Sequence, residues 1–118
     1  LKEECDGALN WAYLTDEDFH ETHAERSDTE GFVDYMLKLE KSVLGVFFYE
    51  TSEGYTKVSL RSKGNVDIQK FARQFGGGGH MHASGITLKT PFKKTMNDIM
   101  KKLKIYYTKN YAGRRSRK

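Results

Sequence analysis

The fold is decided by one stretch of the chain, Val43-Leu44-Gly45-Val46-Phe47-Phe48-Tyr49, which the turn residues Ser52-Glu53-Gly54 separate from Thr56-Lys57-Val58-Ser59-Leu60-Arg61-Ser62. The first run has apolar side chains at both odd and even positions, which is typical of a central strand covered on each face. The second run alternates, and the turn predicts that it returns as an antiparallel partner. Val58 and Leu60 should face the core, so Arg61 falls on the polar side, free to reach a ligand.

Upstream of this hairpin, the pattern predicts a strand and two helices. The strand covers Ala8 to Leu14, and Thr15 is a plausible N-cap because Asp18 follows three residues later. The first helix should end before Arg26. The segment Ser27-Asp28-Thr29-Glu30 has the capping-box spacing that announces the second helix. Its buried face is predicted to carry Phe32, Val33, Met36 and Leu39.

Downstream, a helix is predicted over Val66 to Phe75, and the run Gly76 to Gly79 ends it. A short strand should follow at Gly85 to Lys89. Thr90 then caps the last helix, and Pro91 occupies its first position. The inward side chains of that helix are predicted to be Phe92, Met96, Ile99, Leu103 and Tyr106.

These elements predict an α/β fold, bordering on α+β, with a mixed β-sheet that contains an antiparallel hairpin and has helices packed on it. Residues 1–106 should form one domain. Residues 107–118 are interpreted as a basic C-terminal tail, since five bases and no acid occur from Lys109 onward. We expect that tail to be mobile.

Composition limits the class of protein. The 118 residues are 37% hydrophobic and 13% aromatic, which suits a compact domain rather than a disordered chain. The longest apolar run is too short to span a membrane, and no secretory leader is visible. Cys5 is the only cysteine, so a reducing, cytoplasmic setting is expected. The chain begins at Leu1 without a methionine, so we expect it to be a piece of a longer protein.

The net charge of +4 conceals a strong asymmetry. Residues 1–53 contain 14 acids and 4 bases, whereas residues 54–118 contain 2 acids and 16 bases. The balances of −10 and +14 recover the total of +4. A basic half attracts phosphate, although the two halves could equally attract each other.

The run Gly76-Gly77-Gly78-Gly79-His80 is the strongest candidate for a binding site. A helix C-cap needs one glycine, and Gly76 can serve there. The other three favour a backbone that closely approaches an anion and offers it N–H groups, with His80 as a further donor. The alternative is a flexible hinge beside an incidental histidine. No Gly-Lys-Ser/Thr follows and no helix begins after the glycines, which disfavours a P-loop or a Rossmann fingerprint.

The order of several motifs resembles a known family. They are Lys57 to Ser62, then Val66-Asp67-Ile68 opening a helix, then Phe75 to His80, then Ala83-Ser84-Gly85. Together they resemble the DHH-associated domain, the C-terminal half of DHH phosphoesterases, which include RecJ-type exonucleases, cyclic-dinucleotide phosphodiesterases and nanoRNases. The segment from Ser27 to Val33 looks most like the nanoRNase group, whose members degrade short RNA and often dephosphorylate adenosine 3′,5′-bisphosphate.

The resemblance implies a role for individual residues. Arg61 matches the strand arginine that clamps a terminal phosphate or the RNA backbone, and a guanidinium fork suits that task. The glycine-histidine loop would contact substrate phosphate and face the metal centre. The residues implied to bind substrate are Arg61, Ser62, Gly76, Gly77, Gly78, Gly79, His80 and Ser84.

The resemblance also implies what this chain lacks. The family's metal centre, usually manganese and here expected to be manganese or magnesium, is held by an Asp-His-His triplet and further aspartates on a preceding DHH domain. No Asp-His-His occurs in this sequence. We therefore expect no cofactor, no metal ligand and no catalytic residue in this chain, and no hydrolysis without that domain. The implied partners are short RNA or a nucleotide phosphate and the DHH domain; a homodimer is compatible, and no membrane is implied.

Other chemistry-bearing residues have simpler interpretations. Asp16 and Asp18 suit a helix N-terminus, and His20 with His23 lacks a positioned third metal ligand. His80 and His82 lie two apart. Cys5 is interpreted as an ordinary thiol and Trp11 as a core residue. Base stacking is the alternative for the aromatic residues near the basic tail, Tyr106, Tyr107 and Tyr111.

Three functions follow as hypotheses. The first is a substrate-binding domain of a metal-dependent phosphoesterase that acts on short RNA, a nucleotide 3′,5′-bisphosphate or a cyclic-dinucleotide product. The second is a non-catalytic RNA-binding module, as in the related C-terminal domain of alanyl-tRNA synthetases, dominated by the basic tail from Arg114 to Lys118. The third is a domain that mainly dimerises or stiffens a larger protein.

Overall fold

The computed structural model describes residues 1–22, 25 and 28–112. Its strands are β1 (Lys2–Glu4), β2 (Leu9–Leu14), β3 (Leu44–Glu50), β4 (Thr56–Ser62), β5 (Gly78–His80) and β6 (Ala83–Leu88). Its α-helices are α1 (Asp16–Thr22), α2 (Asp28–Met36), α3 (Ile68–Arg73) and α4 (Phe92–Tyr107). A 3-10 turn (Cys5–Gly7) follows β1, and a π-helical turn (Thr108–Ala112) continues α4. Within these described residues, no helix is both long and apolar enough to cross a membrane.

The strands form a single six-stranded mixed sheet in the order β1-β2-β3-β4-β6-β5. Strands β2 and β3 are parallel, and every other neighbouring pair is antiparallel. The hairpin predicted from the central stretch is β3–β4, in which Leu44 pairs with Ser62 and Glu50 with Thr56. The predicted mixed sheet with an antiparallel hairpin is therefore confirmed.

Helices cover both faces of the sheet, which explains why β3 carries apolar side chains at both odd and even positions. On one face Leu44, Val46 and Phe48 pack with α3 and α4 in the main core. On the other face Phe47 packs against Val33 and Met36 of α2, and Tyr49 contacts Phe19 of α1 edge-on. Strand β4 alternates as predicted: Val58 and Leu60 are buried, and Lys57, Ser59 and Arg61 point to the α2 side.

Local capping follows the sequence closely at two helices. The Thr15 N–H donates to the Asp18 carboxylate at 2.9 Å, and the Asp18 N–H donates to the Thr15 hydroxyl at 3.0 Å. This reciprocal pair is the predicted capping box of α1. At α3, the Asp67 carboxylate accepts from the Lys70 N–H at 3.1 Å, so the helix begins two residues later than the predicted start at Val66.

Three expectations differ from the structure. Helix α2 ends at Met36 instead of extending to Leu39, and Phe32 is 36% exposed rather than buried. The end of the glycine run forms β5, a strand that sequence analysis did not predict. Pro91 precedes α4 instead of occupying its first position, and its extended backbone hosts no side-chain cap.

The boundary between domain and tail also moves. Tyr107 is buried in the main core, and the Asp67 N–H donates to the Tyr111 phenol oxygen at 3.0 Å. The backbone remains helical to Ala112, so the beginning of the segment that was expected to be a mobile tail from Lys109 is helical and is held to the domain through Tyr111. The rest of that tail (113–118), together with Ser27 of the second capping box, Arg26 and His23, lies outside the described residues.

Candidate functional site

The register of the sheet brings Arg61 and His80 onto one face. Arg61 pairs with Ala83, and Ala83 pairs with His80. Paired residues of antiparallel strands project to the same side, and each strand step spans about 4.8 Å. The Arg61 and His80 backbones are therefore about 10 Å apart across β6, with both side chains on the α2 side of the sheet.

Between these two residues the sheet surface is nearly flat. The neighbouring row consists of Ser59, Gly85 and Gly78. We call Gly78, Gly85 and Ala83 the small-residue floor. Helix α2 lies over β3 and the near side of β4, whereas Gly85 and His80 are exposed and Gly78 is half-buried. The floor is thus open to a ligand, with a guanidinium on one border and an imidazole on the other.

The glycine run is required mainly by packing within the protein, which corrects the reason that sequence analysis assigned to it. Gly76 has φ +79° and closes the turn that follows α3, which ends at Arg73 and not at the predicted Phe75. A Cβ on Gly77 would lie 2.2 Å from the Gly85 carbonyl oxygen, and one on Gly79 would lie 2.4 Å from the Ala83 carbonyl oxygen. Both glycines let β5 approach β6 more closely than any side chain permits. A Cβ on Gly78, in contrast, meets nothing within 4 Å.

One amide of this loop is directed outward. The Gln69 side-chain amide donates to the Gly79 carbonyl at 2.6 Å on the outer side of the edge strand β5. The N–H and C=O of a strand residue point the same way, so the Gly79 N–H also faces the outer edge. The expectation of a row of three bared amides is therefore reduced to one amide at the sheet edge.

Arg61 is not free, and this corrects a second expectation. Its Nε donates to the Asp34 carboxylate at 3.2 Å, its Nη2 donates to the Glu30 carboxylate, and its Nη1 donates to the Leu60 carbonyl at 3.0 Å. The Ser59 hydroxyl also donates to Glu30 at 3.1 Å. Both carboxylates come from α2, about thirty residues earlier in the chain, so a local reading of β4 could not detect them.

Ser62 and Ser84 are corrected as candidate ligand contacts. Both are buried, and their register with Leu44 and Leu60 places them on the opposite face of the sheet. The Ser62 hydroxyl lies within hydrogen-bond distance of the Val66 and Met81 carbonyls, and the Ser84 hydroxyl donates to the His80 carbonyl at 2.8 Å. These serines hold the chain around the loop instead of facing a ligand.

The charge asymmetry of the sequence becomes a difference between the two helical layers. Helices α1 and α2 carry acids in their first turns. Helices α3 and α4 carry exposed bases on the other side of the sheet, with Asp98 as the only acid within the two helices. We call this second surface the basic helical layer; its exposed bases are Lys70, Arg73, Lys93, Lys94, Lys101 and Lys102.

Other candidates have structural partners. The Tyr106 phenol donates to the Asp67 carbonyl at 2.6 Å, and Tyr106 packs on Phe71 and Tyr111. Burial, together with the neighbouring Tyr111 phenol, raises the pKa of Tyr106. Trp11 packs edge-on against Phe48, in line with its expected core position. Burial, aided by the Glu4 charge, raises the pKa of the Cys5 thiol, as an unreactive thiol requires.

The described residues do not fit a metal centre. The His20 ring lies 3.5 Å from the Asp16 carboxylate, and His82 Nε2 lies 2.9 Å from the Gly64 carbonyl oxygen. Within the part of the chain that the structure covers, no three histidine, cysteine or acidic side chains meet in a ligand group.

Sequence analysis missed one surface feature. A groove of about 480 Å³ runs beside α2 and is lined by Ala12, Leu14, Thr29, Phe32 and Phe47 among others. Phe32 stacks on Tyr35 and meets Phe47 edge-on. The rings of Phe32 and Tyr35 nevertheless remain partly exposed. The 3-4 residue spacing placed Phe32 on the buried face, but α2 is rolled so that Thr29, Val33 and Met36 are its buried residues.

The mixed sheet, its helices on both faces and the glycine-histidine edge define an accessory domain of the kind associated with phosphoesterases. The DHHA1 domain family matches residues 11–109. This chain belongs to the DHHA1 domain family, and its resemblance to the nanoRNase group is confirmed by the relatives that follow.

Among curated relatives, the bifunctional oligoribonuclease and PAP phosphatase NrnA of Thermus thermophilus is 47% identical over 62 residues, which are 52% of this chain and 19% of that protein. NrnA of Mycoplasma pneumoniae is 34% identical over 58 residues, 49% of this chain and 18% of that protein. The matched segment thus spans about a fifth of the length of these relatives.

Solved structures show the same fold. An exopolyphosphatase-related protein from Bacteroides fragilis superimposes with a TM-score of 0.80 at 28% identity, covering 90% of this chain and 31% of that one. The C-Ala domain of alanyl-tRNA synthetase from Aquifex aeolicus gives 0.61 at 16% identity, covering 81% of this chain and 86% of that one. At that identity the second likeness concerns the fold alone.

Proposed function

We propose that this domain binds the terminal phosphate of short RNA or of a nucleotide phosphate for a metal-dependent phosphoesterase. The observation that carries the proposal is the single row of Arg61, Ala83 and His80 across the open face of the sheet. It is supported by the similarity to proteins named as oligoribonucleases and PAP phosphatases.

The chemistry of the two borders suits a phosphate. A guanidinium fork can present two parallel N–H donors to two phosphate oxygens, and it stays charged at every physiological pH. His80 offers an imidazole donor on the other side of the floor. The floor itself lacks side chains long enough to fill the space, so a nucleotide could lie between the two borders. The Gly79 N–H at the edge of β5 is a further candidate donor.

The hydrolytic step is assigned to a DHH domain of the same protein, located before this chain and holding manganese or magnesium. The chain's own residues would bind and orient the ligand, so the parent protein would be a cytoplasmic hydrolase with this domain as its substrate clamp. Among the known substrates of the group, the chain's geometry favours any with a terminal phosphate and does not select a base.

The proposal can be tested by titrating the 118-residue chain with 5′-phosphorylated diadenosine RNA (pApA) at low salt. We expect Arg61→Ala with His80→Ala to weaken binding at least tenfold, because a charge-assisted bidentate pair is worth about 1.5–3 kcal/mol. The matched control, Arg73→Ala with His20→Ala, removes the same residue types from exposed positions off the floor and should leave the affinity within twofold. Equal affinities for wild type and the Arg61/His80 variant would refute the proposal.

A second candidate function, a non-catalytic RNA-binding module, is favoured by the basic helical layer. Six exposed bases with a single acid among them attract a polyanion along its backbone, and the affinity then falls steeply with salt. Two of the layer's bases have local partners: Lys94 lies 3.2 Å from Asp98, and Lys102 lies over the Phe75 ring at 5.4 Å. The others project into solvent.

The two functions are separated by ligand length. Under the second function, Lys93→Ala with Lys101→Ala should weaken binding of a 20-nucleotide single strand severalfold and leave the affinity for pApA unchanged. Arg61→Ala should change neither affinity. Deleting residues 113–118 should also abolish binding of the long strand under that hypothesis and barely alter pApA under the first. Binding measured by fluorescence anisotropy at two salt concentrations gives both comparisons.

A further inference from the structure

The guanidinium that the proposed function assigns to phosphate is already occupied by two carboxylates. Asp34 accepts from Nε at 3.2 Å, and Glu30 accepts from Nη2. The pairing is therefore two anions to one cation, which leaves local negative charge beside the floor. A phosphate brought to Arg61 with both carboxylates in place would meet like charge within a few ångströms, and such contacts are unfavourable.

Burial indicates which partner moves. The Arg61 side chain is 16% exposed, whereas Glu30 and Asp34 are 56% and 63% exposed. Carboxylates that are already more than half hydrated regain water at small cost when they leave, but a buried guanidinium would lose its packing. The bond from Nη1 to the Leu60 carbonyl is independent of α2, so it can hold Arg61 in place after the acids depart.

We propose that Glu30 and Asp34 are positioning residues that compete with the ligand: they hold Arg61 in the ligand-free domain and release it to an incoming phosphate. The inference rests on the proposed function. A ligand must then replace both the negative charge and the acceptor oxygens that Glu30 and Asp34 provide to Arg61 in the ligand-free domain. A terminal phosphate, with a charge of about −1.5 to −2 and three oxygens, meets that requirement better than a neutral ligand. The competition from Glu30 and Asp34 thus lowers the observed affinity for the ligand below the affinity that an unpaired Arg61 would give.

The test uses the 118-residue chain and pApA as the probe. Glu30→Gln with Asp34→Asn keeps the shape of both side chains and their acceptor oxygens but removes their charge. We expect pApA to bind about threefold to tenfold more tightly, because two exposed ion pairs no longer oppose the ligand. A charge-matched control, Glu21→Gln with Glu53→Gln, removes two exposed acids that lie near the ends of the strands away from Arg61. It should change the affinity for pApA less than twofold at 150 mM salt.

A thermodynamic cycle with Arg61→Ala isolates the mechanism. In the Arg61→Ala background, the Glu30/Asp34 substitutions should no longer tighten binding, because the competed group is absent. Unchanged or weaker pApA binding by the Glu30/Asp34 variant in the Arg61 background would overturn the inference, since weaker binding means that the acids brace Arg61 for the ligand. Equal tightening with and without Arg61 would overturn it as well, because the effect would be a general one of charge.

The same measurements keep this inference distinct from the proposed function. If Arg61→Ala weakens pApA but neutralising α2 has no effect, the competition is refuted and the phosphate site stands. If Arg61→Ala leaves pApA binding unaltered, the phosphate site itself is refuted and the competition falls with it. Circular dichroism melting curves establish that each variant is folded before its affinity is compared.

Discussion

Replacing Gly77 by alanine tests whether the glycine run is required by packing or by a ligand. The added Cβ would lie 2.2 Å from the Gly85 carbonyl oxygen, which is 0.8 Å short of even a 3.0 Å contact. The obstacle is main chain, so no side-chain rotation can relieve it. Strand β5 would have to move away from β6 by nearly 1 Å, and hydrogen bonds of about 2.9 Å between the two strands would break or lengthen.

The magnitude follows from that displacement. Overpacking a well-ordered site typically costs about 1–3 kcal/mol, and the backbone obstacle places Gly77→Ala near the upper end, at about 3 kcal/mol. For a domain of this size, a loss of about 3 kcal/mol lowers Tm by roughly 12 °C. Thermal unfolding followed by circular dichroism, together with urea unfolding at 25 °C, measures both quantities on the ligand-free chain.

Gly78→Ala is the matched control, because its Cβ would meet nothing within 4 Å and its φ lies outside the left-handed region. Its free energy of unfolding should stay within about 0.5 kcal/mol of wild type. The new methyl group would nevertheless stand on the small-residue floor, so pApA binding should weaken. The packing argument would be refuted if Gly77→Ala had the same Tm as wild type. It would also be refuted if Gly78→Ala were destabilised as much as Gly77→Ala.

Further outcomes are expected from single changes. Ser62→Ala should lower the free energy of unfolding by about 1–2 kcal/mol in urea, because the buried bond to the Val66 carbonyl and the weaker contact with the Met81 carbonyl are lost; an unchanged midpoint would count against this role. Burial and the neighbouring Tyr111 phenol raise the pKa of Tyr106 above its ordinary value of about 10, so the folded state disfavours the phenolate. The resulting stability is fully present below about pH 10 and should be lost as the pH rises above it toward the pKa of the folded state, and Tyr106→Phe should flatten that decline. With manganese and pApA, the 118-residue chain should release no mononucleotide in chromatographic assays, and turnover that survives repurification would contradict this.

The sequence predicted those parts of the fold that depend on local patterns. The strict alternation of Val58, Leu60 and their polar neighbours predicted the face of β4, and the Thr15/Asp18 spacing predicted the capping box. Strand β5 escaped prediction because its glycines have low strand propensity. Its conformation is imposed by pairing with β6, a tertiary interaction that local propensity cannot reveal.

The sequence nominated Arg61 and His80 but did not predict their contacts. Arg61 was nominated from the alternation of β4 and His80 from the glycine run, and the register of β4, β6 and β5 was needed to place them on one face. The occupation of Arg61 by Glu30 and Asp34 depends on where α2 crosses the sheet, which no spacing within the chain encodes. The sequence alone could not separate a packing role of the glycines from a ligand role, because the close approach of two backbones leaves the same sequence pattern.

Both outermost strands of the sheet are only three residues long. One consists entirely of charged residues, Lys2, Glu3 and Glu4, and the other contains two glycines. Short margins of this composition offer a poor template for another molecule to extend the sheet by strand addition. This composition of the margins therefore disfavours edge-to-edge association between copies of the domain.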